Sequence, residues 1–207
     1  LMNTYQSILE KRGVNVDRAN PVKMNRKVET PDWEIECMRG CQPPRDVFFT
    51  SGNEILEAPM CIRARWFEYI NFRDLIESYF KDDPQCMWRS APKPRMTDES
   101  FERDFWYNVK YVWSDDEKEK RTRQRNLTEK EPLFDAADGM RFGKDIFWQA
   151  SATSNAAGID WLKRHFESRG FRFHVMQFGG GHLHWHSDVC LIPVRPGLCM
   201  YNPDYAP

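Results

Sequence analysis

The sequence predicts an α/β fold assembled from repeated small units, and three observations carry that expectation. The order hairpin, helix, strand can be read twice along the chain, in units roughly 90–100 residues apart with negligible identity between them. Eight Trp and 14 Phe supply large apolar areas to bury, which argues for a folded globular protein and against disorder. A length of 207 residues suffices for one domain with a real core, or for a piece of a larger one.

Taken in order, Tyr5, Ile8 and Leu9 before Gly13 read as a short amphipathic helix with a glycine cap. Val14 and Val16 then start an extended segment. Residues 46–50 form a strand, Ser51-Gly52-Asn53 a turn, and residues 54–57 the returning strand. Pro59 opens a helix to about Phe80, with Trp66, Ile70, Leu75 and Tyr79 on one apolar side, and Asp82-Asp83-Pro84 stops it. Residues 91–132 are loop-rich, a length that in compact domains carries function or drapes over a site.

The second unit begins at Leu133-Phe134, with a turn at Gly139 and Gly143 and a strand at residues 145–150. Ser154 or Asn155 caps a helix to Ser168, with Ile159, Leu162, His165 and Phe166 on its inner face and Gly170 closing it. Phe171, Phe173 and Val175 alternate with Arg172 and His174 as a strand. A strand through residues 184–191, a turn at Arg195-Pro196-Gly197 and a return at residues 198–201 follow.

Composition narrows the function classes. Lys+Arg (30) and Asp+Glu (31) nearly cancel, which argues against the basic surface that nucleic-acid binding needs. The charge run from Asp115 to Arg125 is mixed in sign and reads as a solvated face. No apolar stretch is long enough to span a membrane, and no secretory leader is visible. The chain starts at Leu1 rather than Met, which points to sequence upstream. Six scattered cysteines in a chain of this size suggest reduced thiols. Cys37 and Cys41 have a zinc-compatible spacing, but no second Cys/His pair follows.

Two segments carry chemistry. In the predicted strand Gly181-His-Leu-His-Trp-His-Ser-Asp-Val-Cys190, period-2 alternation puts His184, His186, Asp188 and Cys190 on one face. Three readings compete: a strand with hydrogen-bonded histidines, a metal site using His182, His184 and His186, or a general acid/base histidine with a nearby carboxylate. The second segment, Phe134-Asp-Ala-Ala-Asp138, sets two carboxylates around a small-residue turn that would let a ligand approach the backbone.

These segments belong to a longer series. Gly52-Asn-Glu-Ile-Leu-Glu-Ala-Pro-Met60, Arg63-Ala-Arg-Trp-Phe-Glu-Tyr69, Ala91-Pro-Lys-Pro94, Phe134-Asp-Ala-Ala-Asp138, Gly143-Lys-Asp-Ile-Phe147, Asn155-Ala-Ala-Gly-Ile-Asp-Trp-Leu162, His186-Ser-Asp188 and Asn202-Pro-Asp204 resemble, in this order, the blocks of the glycine amidinotransferase-like amidinotransferases. The resemblance covers the chain from about residue 30 onward. It implies a pentein fold, five ββαβ modules in an α/β propeller, of which residues 1–207 would hold two to three.

It also implies a reaction: a cysteine takes the amidino group of arginine, ornithine leaves, and an acceptor amine receives the group. By the same resemblance His186 is the acid/base, Asp135 the triad carboxylate, and Asp46 and Asp188 the acids that bind the guanidinium. Several carboxylates suit a planar, permanently charged guanidinium, and no cofactor or metal is implied. The partners implied are small molecules, arginine and an amine. The assembly state is not legible, a homodimer being one option. The compartment is the cytoplasm, or the mitochondrion if a presequence lies upstream.

The match has departures. The family's nucleophile directly follows a histidine in a glycine-rich segment near the end of the full-length chain, and no cysteine here follows one. An N-terminal piece and C-terminal modules with that cysteine are therefore expected to be missing, Cys190 and Cys199 being small core residues of a hairpin. The alternative is a natural short relative that binds arginine without reacting. Tyr205 stands where glycine-specific members carry Arg, which opens the acceptor to precursors of guanidino natural products such as aminocyclitol antibiotics and saxitoxin-type toxins. An arginine deiminase-like hydrolase of the same fold is the rival activity.

Overall fold

The computed structural model describes residues 2–20, 22–40, 43–102, 127–177 and 186–203. The run 115–125, His182, His184, Trp185, Cys41 and Tyr205 lie outside them. Helix α1 (Met2–Glu10) buries none of its residues, and the chain leaves it through Gly13 in the left-handed region. Val14 and Val16 start no strand; a short antiparallel pair, β1 (Val28–Glu29) and β2 (Glu34–Ile35), comes later instead.

The first module is β3 (Phe48–Ser51), β4 (Glu54–Glu57), α2 (Arg73–Asp82) and β5 (Met87–Ser90). Strand β4 is central, antiparallel to β3 and parallel to β5. The hairpin turns at Gly52, whose positive φ suits glycine. Residues 59–80 do not make one helix. They make two 3-10 turns, Arg63–Arg65 and Glu68–Phe72, before α2 begins. Arg65 and Glu68 fold inward onto partners, so tertiary bonds rather than helical period shape this stretch. Trp66 meets Trp33 edge-on while Tyr79 is exposed, so the expected common apolar side does not form.

The second module repeats the plan with β6 (Gly139–Phe142), β7 (Asp145–Gln149), α3 (Ala156–Glu167) and β8 (Arg172–Met176). Again the middle strand is antiparallel to one neighbour and parallel to the other. Asn155 is the cap of α3: its Oδ1 accepts from Gly158 N at 2.8 Å and from Leu133 N at 3.0 Å. A third hairpin, β9 (Leu191–Arg195) and β10 (Leu198–Tyr201), turns at Gly197. The strand expected through residues 184–190 is broken at Ser187–Val189, a 3-10 turn closed by Cys190 N donating to Ser187 O. Alternation therefore does not relate His186, Asp188 and Cys190. Cys190 is buried as expected, whereas Cys199 is exposed on β10.

One aromatic core joins the two modules: Phe49 lies 5.3 Å from Trp148 and 5.5 Å from Phe166, ring centre to ring centre. Gly139, expected in a turn, is instead the first residue of β6 beneath these rings, and the turn is made by Gly143. A Cβ at position 139 would stand 2.5 Å from a Trp148 ring carbon and 2.7 Å from the Phe49 ring. Gly139→Ala should therefore cost about 1–3 kcal/mol by overpacking, read by urea unfolding. Gly40→Ala, where a Cβ meets nothing within 4 Å, should leave stability nearly unchanged. Among the described residues no helix is long and apolar enough to cross a membrane.

Candidate active site

Each of the three hairpins is entered through a 3-10 turn, and these turns build the site. Pro44–Asp46 precedes β3, Ala136–Asp138 precedes β6, and Ser187–Val189 precedes β9. Asp135 and His186 occupy the same place, the extended residue just before the turn, in the second and third repeats. Asp46 and Asp138 likewise share the last place of their turns. The modular repeat thus delivers the polar side chains to one end of the sheets.

The structure brings Asp46, Asp135 and His186 together. His186 Nε2 lies 3.4 Å from Asp135 Oδ2, and Asp135 Oδ1 accepts the Cys61 backbone N–H at 2.9 Å. Met60, just before Cys61, is in the left-handed region, a strained conformation for methionine at the point where the chain turns toward Asp135. Buried Arg65 links the acids: it forks onto Glu68 at 3.0 and 2.8 Å, donates to Asp46 Oδ2 at 2.9 Å, and lies 3.7 Å from Asp135 Oδ2. Asp46 Oδ1 is buried with no hydrogen-bond partner among the described residues.

Asp188 lies at the rim. Its carboxylate pairs with the Arg45 guanidinium at 2.7 Å, and Arg45 also donates to Ala137 O at 3.2 Å. Arg45 and Asp188 line an open cleft with Thr50, Met140, Arg141 and Ile192. Asp188 is therefore not joined to His186, and its carboxylate is paired with the chain's own Arg45.

The electrostatics follow from burial and proximity. Burial works against the Arg65 charge, but Glu68, Asp135 and Asp46 more than restore it, so the guanidinium stays protonated. Burial raises the Glu68 carboxyl, against the bond from Arg65. Burial alone would lower His186; the hydrogen bond and charge of Asp135, with Asp138 and Asp46 behind it, outweigh that and raise it. Cys61 is wholly buried, and burial together with Asp135 pushes its thiol well up, so it is no thiolate nucleophile. Among the described residues no group of three or more His, Cys, Asp or Glu is arranged to hold a metal ion.

Arg65, Glu68, Cys61 and a structural use for Asp138 were not read as site features in the sequence. For Arg65 and Glu68 the signal is an Arg and a Glu three apart flanking Trp66-Phe67, a spacing that allows an ion pair.

No family model matches the chain. Glycine amidinotransferase, mitochondrial, from Gallus gallus is 41% identical over 200 residues, 96% of this chain and 45% of that protein. L-arginine:L-lysine amidinotransferase from Pseudomonas savastanoi pv. phaseolicola is 35% identical over 203 residues, 98% of this chain and 52% of that protein. Among solved structures, SxtG, an amidinotransferase of the saxitoxin biosynthetic pathway from Microseira wollei, superposes with a TM-score of 0.85 at 37% identity, over 100% of this chain and 55% of that one. The fold is thus the α/β pentein fold of these enzymes, and the chain spans about half the length of the curated relatives it matches.

Proposed function

Starting from its relationship to the amidinotransferases over nearly its whole length, we propose that the chain forms the carboxylate-and-histidine wall of an arginine:amine amidinotransferase. The observation that supports it most is the buried cluster of Asp46, Asp135 and His186 around Arg65, with one oxygen of Asp46 left for a ligand. The nucleophile would be a cysteine outside residues 1–207, because no cysteine in the sequence directly follows a histidine and Cys61, beside Asp135, is wholly buried with a raised thiol.

Arginine would sit with its guanidinium between Asp46 and Asp188, displacing Arg45 from the latter. At an effective dielectric of about 20, each close charge pair is worth on the order of 4 kcal/mol of attraction before desolvation. The cysteine sulfur attacks the guanidino carbon, and the bond from that carbon to the ornithine Nδ breaks. His186, protonated and held by Asp135, gives its proton to the departing nitrogen. It then takes a proton from the incoming amine as that nitrogen bonds to the carbon and the sulfur leaves. The acceptor would be glycine or a precursor of a guanidino natural product. The protein would work in the cytoplasm, or in mitochondria as the name of the Gallus relative has it.

The test is to give the full-length protein guanidino-labelled arginine, with and without a panel of amines including glycine, lysine and an aminocyclitol. Ornithine and a labelled guanidino product are expected only when an amine is present. Citrulline formed without an amine would replace this reading with a hydrolase. Arginine binding without either product would replace it with a binding module.

A further inference from the structure

We infer that Asp138 is a positioning residue for the Asp135–His186 pair, holding the turn that aims Asp135 and anchors the backbone beside His186. Its kinetic consequences rest on the amidinotransferase reading; its effect on the titration of His186 does not.

Asp138 ends the turn Ala136–Asp138, as Asp46 ends the equivalent turn of the first module. Both are buried, and each keeps Oδ1 buried without a hydrogen-bond partner among the described residues. Their other oxygens are used differently. Asp46 Oδ2 receives the Arg65 guanidinium, whereas Asp138 Oδ2 receives three hydroxyls, from Ser151 at 2.6 Å, Thr153 at 2.8 Å and Ser154 at 2.5 Å. A fully buried carboxylate held by hydroxyls, with no cation bonded to it among the described residues, is costly, and a sequence that keeps one needs a reason for it.

The bonds around the turn supply that reason. Asp135 N donates to Thr153 O at 3.1 Å, so residues 151–154 grip the turn at its first residue as well as its last. Asp138 N closes the turn on Asp135 O at 3.2 Å. The carbonyl between them, on Ala137, accepts from buried Ser187 Oγ at 3.0 Å and from Arg45 at 3.2 Å. Ser187 directly follows His186, and Arg45 holds Asp188. One carboxylate therefore fixes both Asp135 and the segment that presents His186, the kind of support that an orienting acid needs to keep its geometry.

Charge acts through the same arrangement. His186 faces Asp135, Asp138 and Asp46, all of which favour its protonated form. Burial dominates and holds the Asp138 carboxyl up at about 7, against the downward pull of the Ser151 and Ser154 hydroxyls and the His186 charge. The two groups thus titrate in one another's field.

The test uses Asp138→Asn in the full-length protein, an isostere whose amide oxygen can still accept the hydroxyls. Its His186 midpoint, followed by NMR of the imidazole carbon and assigned with His186→Gln, should move down. The value of kcat should fall about tenfold or more, part of the roughly 10²–10⁴-fold that a positioned acid/base supplies, with the arginine KM kept within about twofold. A wild-type His186 midpoint and wild-type kcat, with only the melting temperature lowered, would overturn the inference. So would a raised KM at unchanged kcat. If Asp138→Asn does not fold, Ser154→Ala and Thr153→Val each remove one hydroxyl and are read in the same way. If the wild-type protein transfers no amidino group, the proposed function fails, yet the His186 titration still decides the role of Asp138.

Discussion

Replacing Arg65 with Met should destabilise the fold by about 3–5 kcal/mol, the usual cost of removing one partner from a buried ion network. The Arg65 side chain is 9% exposed and the side chains of Asp46, Glu68 and Asp135 are 3%, 2% and 1% exposed, so water screens none of them appreciably. Taking away the cation strands negative charge among side chains that cannot reach solvent. Asp135 keeps the Cys61 N–H and His186, but Glu68 loses both of its bonds from the guanidinium. The pH dependence has a definite sign. Burial already holds the Glu68 carboxyl above its ordinary 4.5. For an acid raised in the folded state, stability is fullest below the unfolded value and is lost as pH rises through the folded one. Without Arg65 that rise would be larger, so the deficit should be widest near neutrality and shrink toward pH 5. Urea unfolding at pH 7 and pH 5 measures it. Adding Glu68→Met to the Arg65 variant should recover part of the loss, since an apolar pair can replace a buried ion pair at small cost. A deficit under about 1 kcal/mol, or one that does not change with pH, would mean that the acids find other partners.

How much of this could be read in advance depended on whether a residue's partners were local. The first hairpin, strand β7 and helix α3 announce themselves through turn glycines, β-rich runs and a capping asparagine, all effects within a few residues, and they fall close to where expected, whereas β6 occupies residues expected as a turn. Strand β5 was implied by the repeat but not placed, because Met-Trp-Arg-Ser is half-buried edge sequence without alternation. Residues 59–80 form no single helix because the spacing of Trp66, Ile70, Leu75 and Tyr79 carries no information about where Arg65 and Glu68 go. Arg65 and Glu68 are the buried side of an irregular segment, paired with each other, and Arg65 reaches Asp46, 19 residues earlier, and Asp135 in the second module. Ser187–Val189 failed similarly: a period-2 pattern is also satisfied by a turn whose serine reaches a carbonyl 50 residues away. The residues proposed for the site were named through family resemblance, and three of the four so named, Asp46, Asp135 and His186, lie around Arg65 or each other. Their placement was not legible, for nothing in the sequence says that Asp188 sits on the rim with Arg45 while Asp46 is buried against Arg65 with one oxygen unpaired among the described residues.

His186→Ala should lower kcat by roughly 10²–10⁴-fold, the usual contribution of a positioned acid/base, with only a small loss of stability. The asymmetry comes from where the ring sits. Its side chain is 20% exposed, and its partner Asp135 is 1% exposed and retains the Cys61 N–H when the imidazole is gone. Folding therefore loses a weak bond, whereas chemistry loses its proton carrier. The wild-type pH behaviour is constrained as well. Asp135, Asp138 and Asp46 raise His186 above the ordinary 6.5, so more of it is protonated near neutrality than in a free imidazole. In the full-length protein, on the proposed function, release of ornithine uses that proton and should persist to higher pH than an unperturbed histidine would allow, and then fall. Linkage adds a second consequence of the same sign. A histidine raised in the folded state lends stability that is complete below 6.5 and is lost as pH climbs through the folded value. His186→Ala should remove that component, so the stabilities of variant and wild type should converge as pH rises. Single-turnover ornithine release and urea midpoints across pH 5.5–8.5 would test both consequences. Turnover within about tenfold of wild type in the alanine variant would take His186 out of the proton transfer and return Asp135 to a purely structural role.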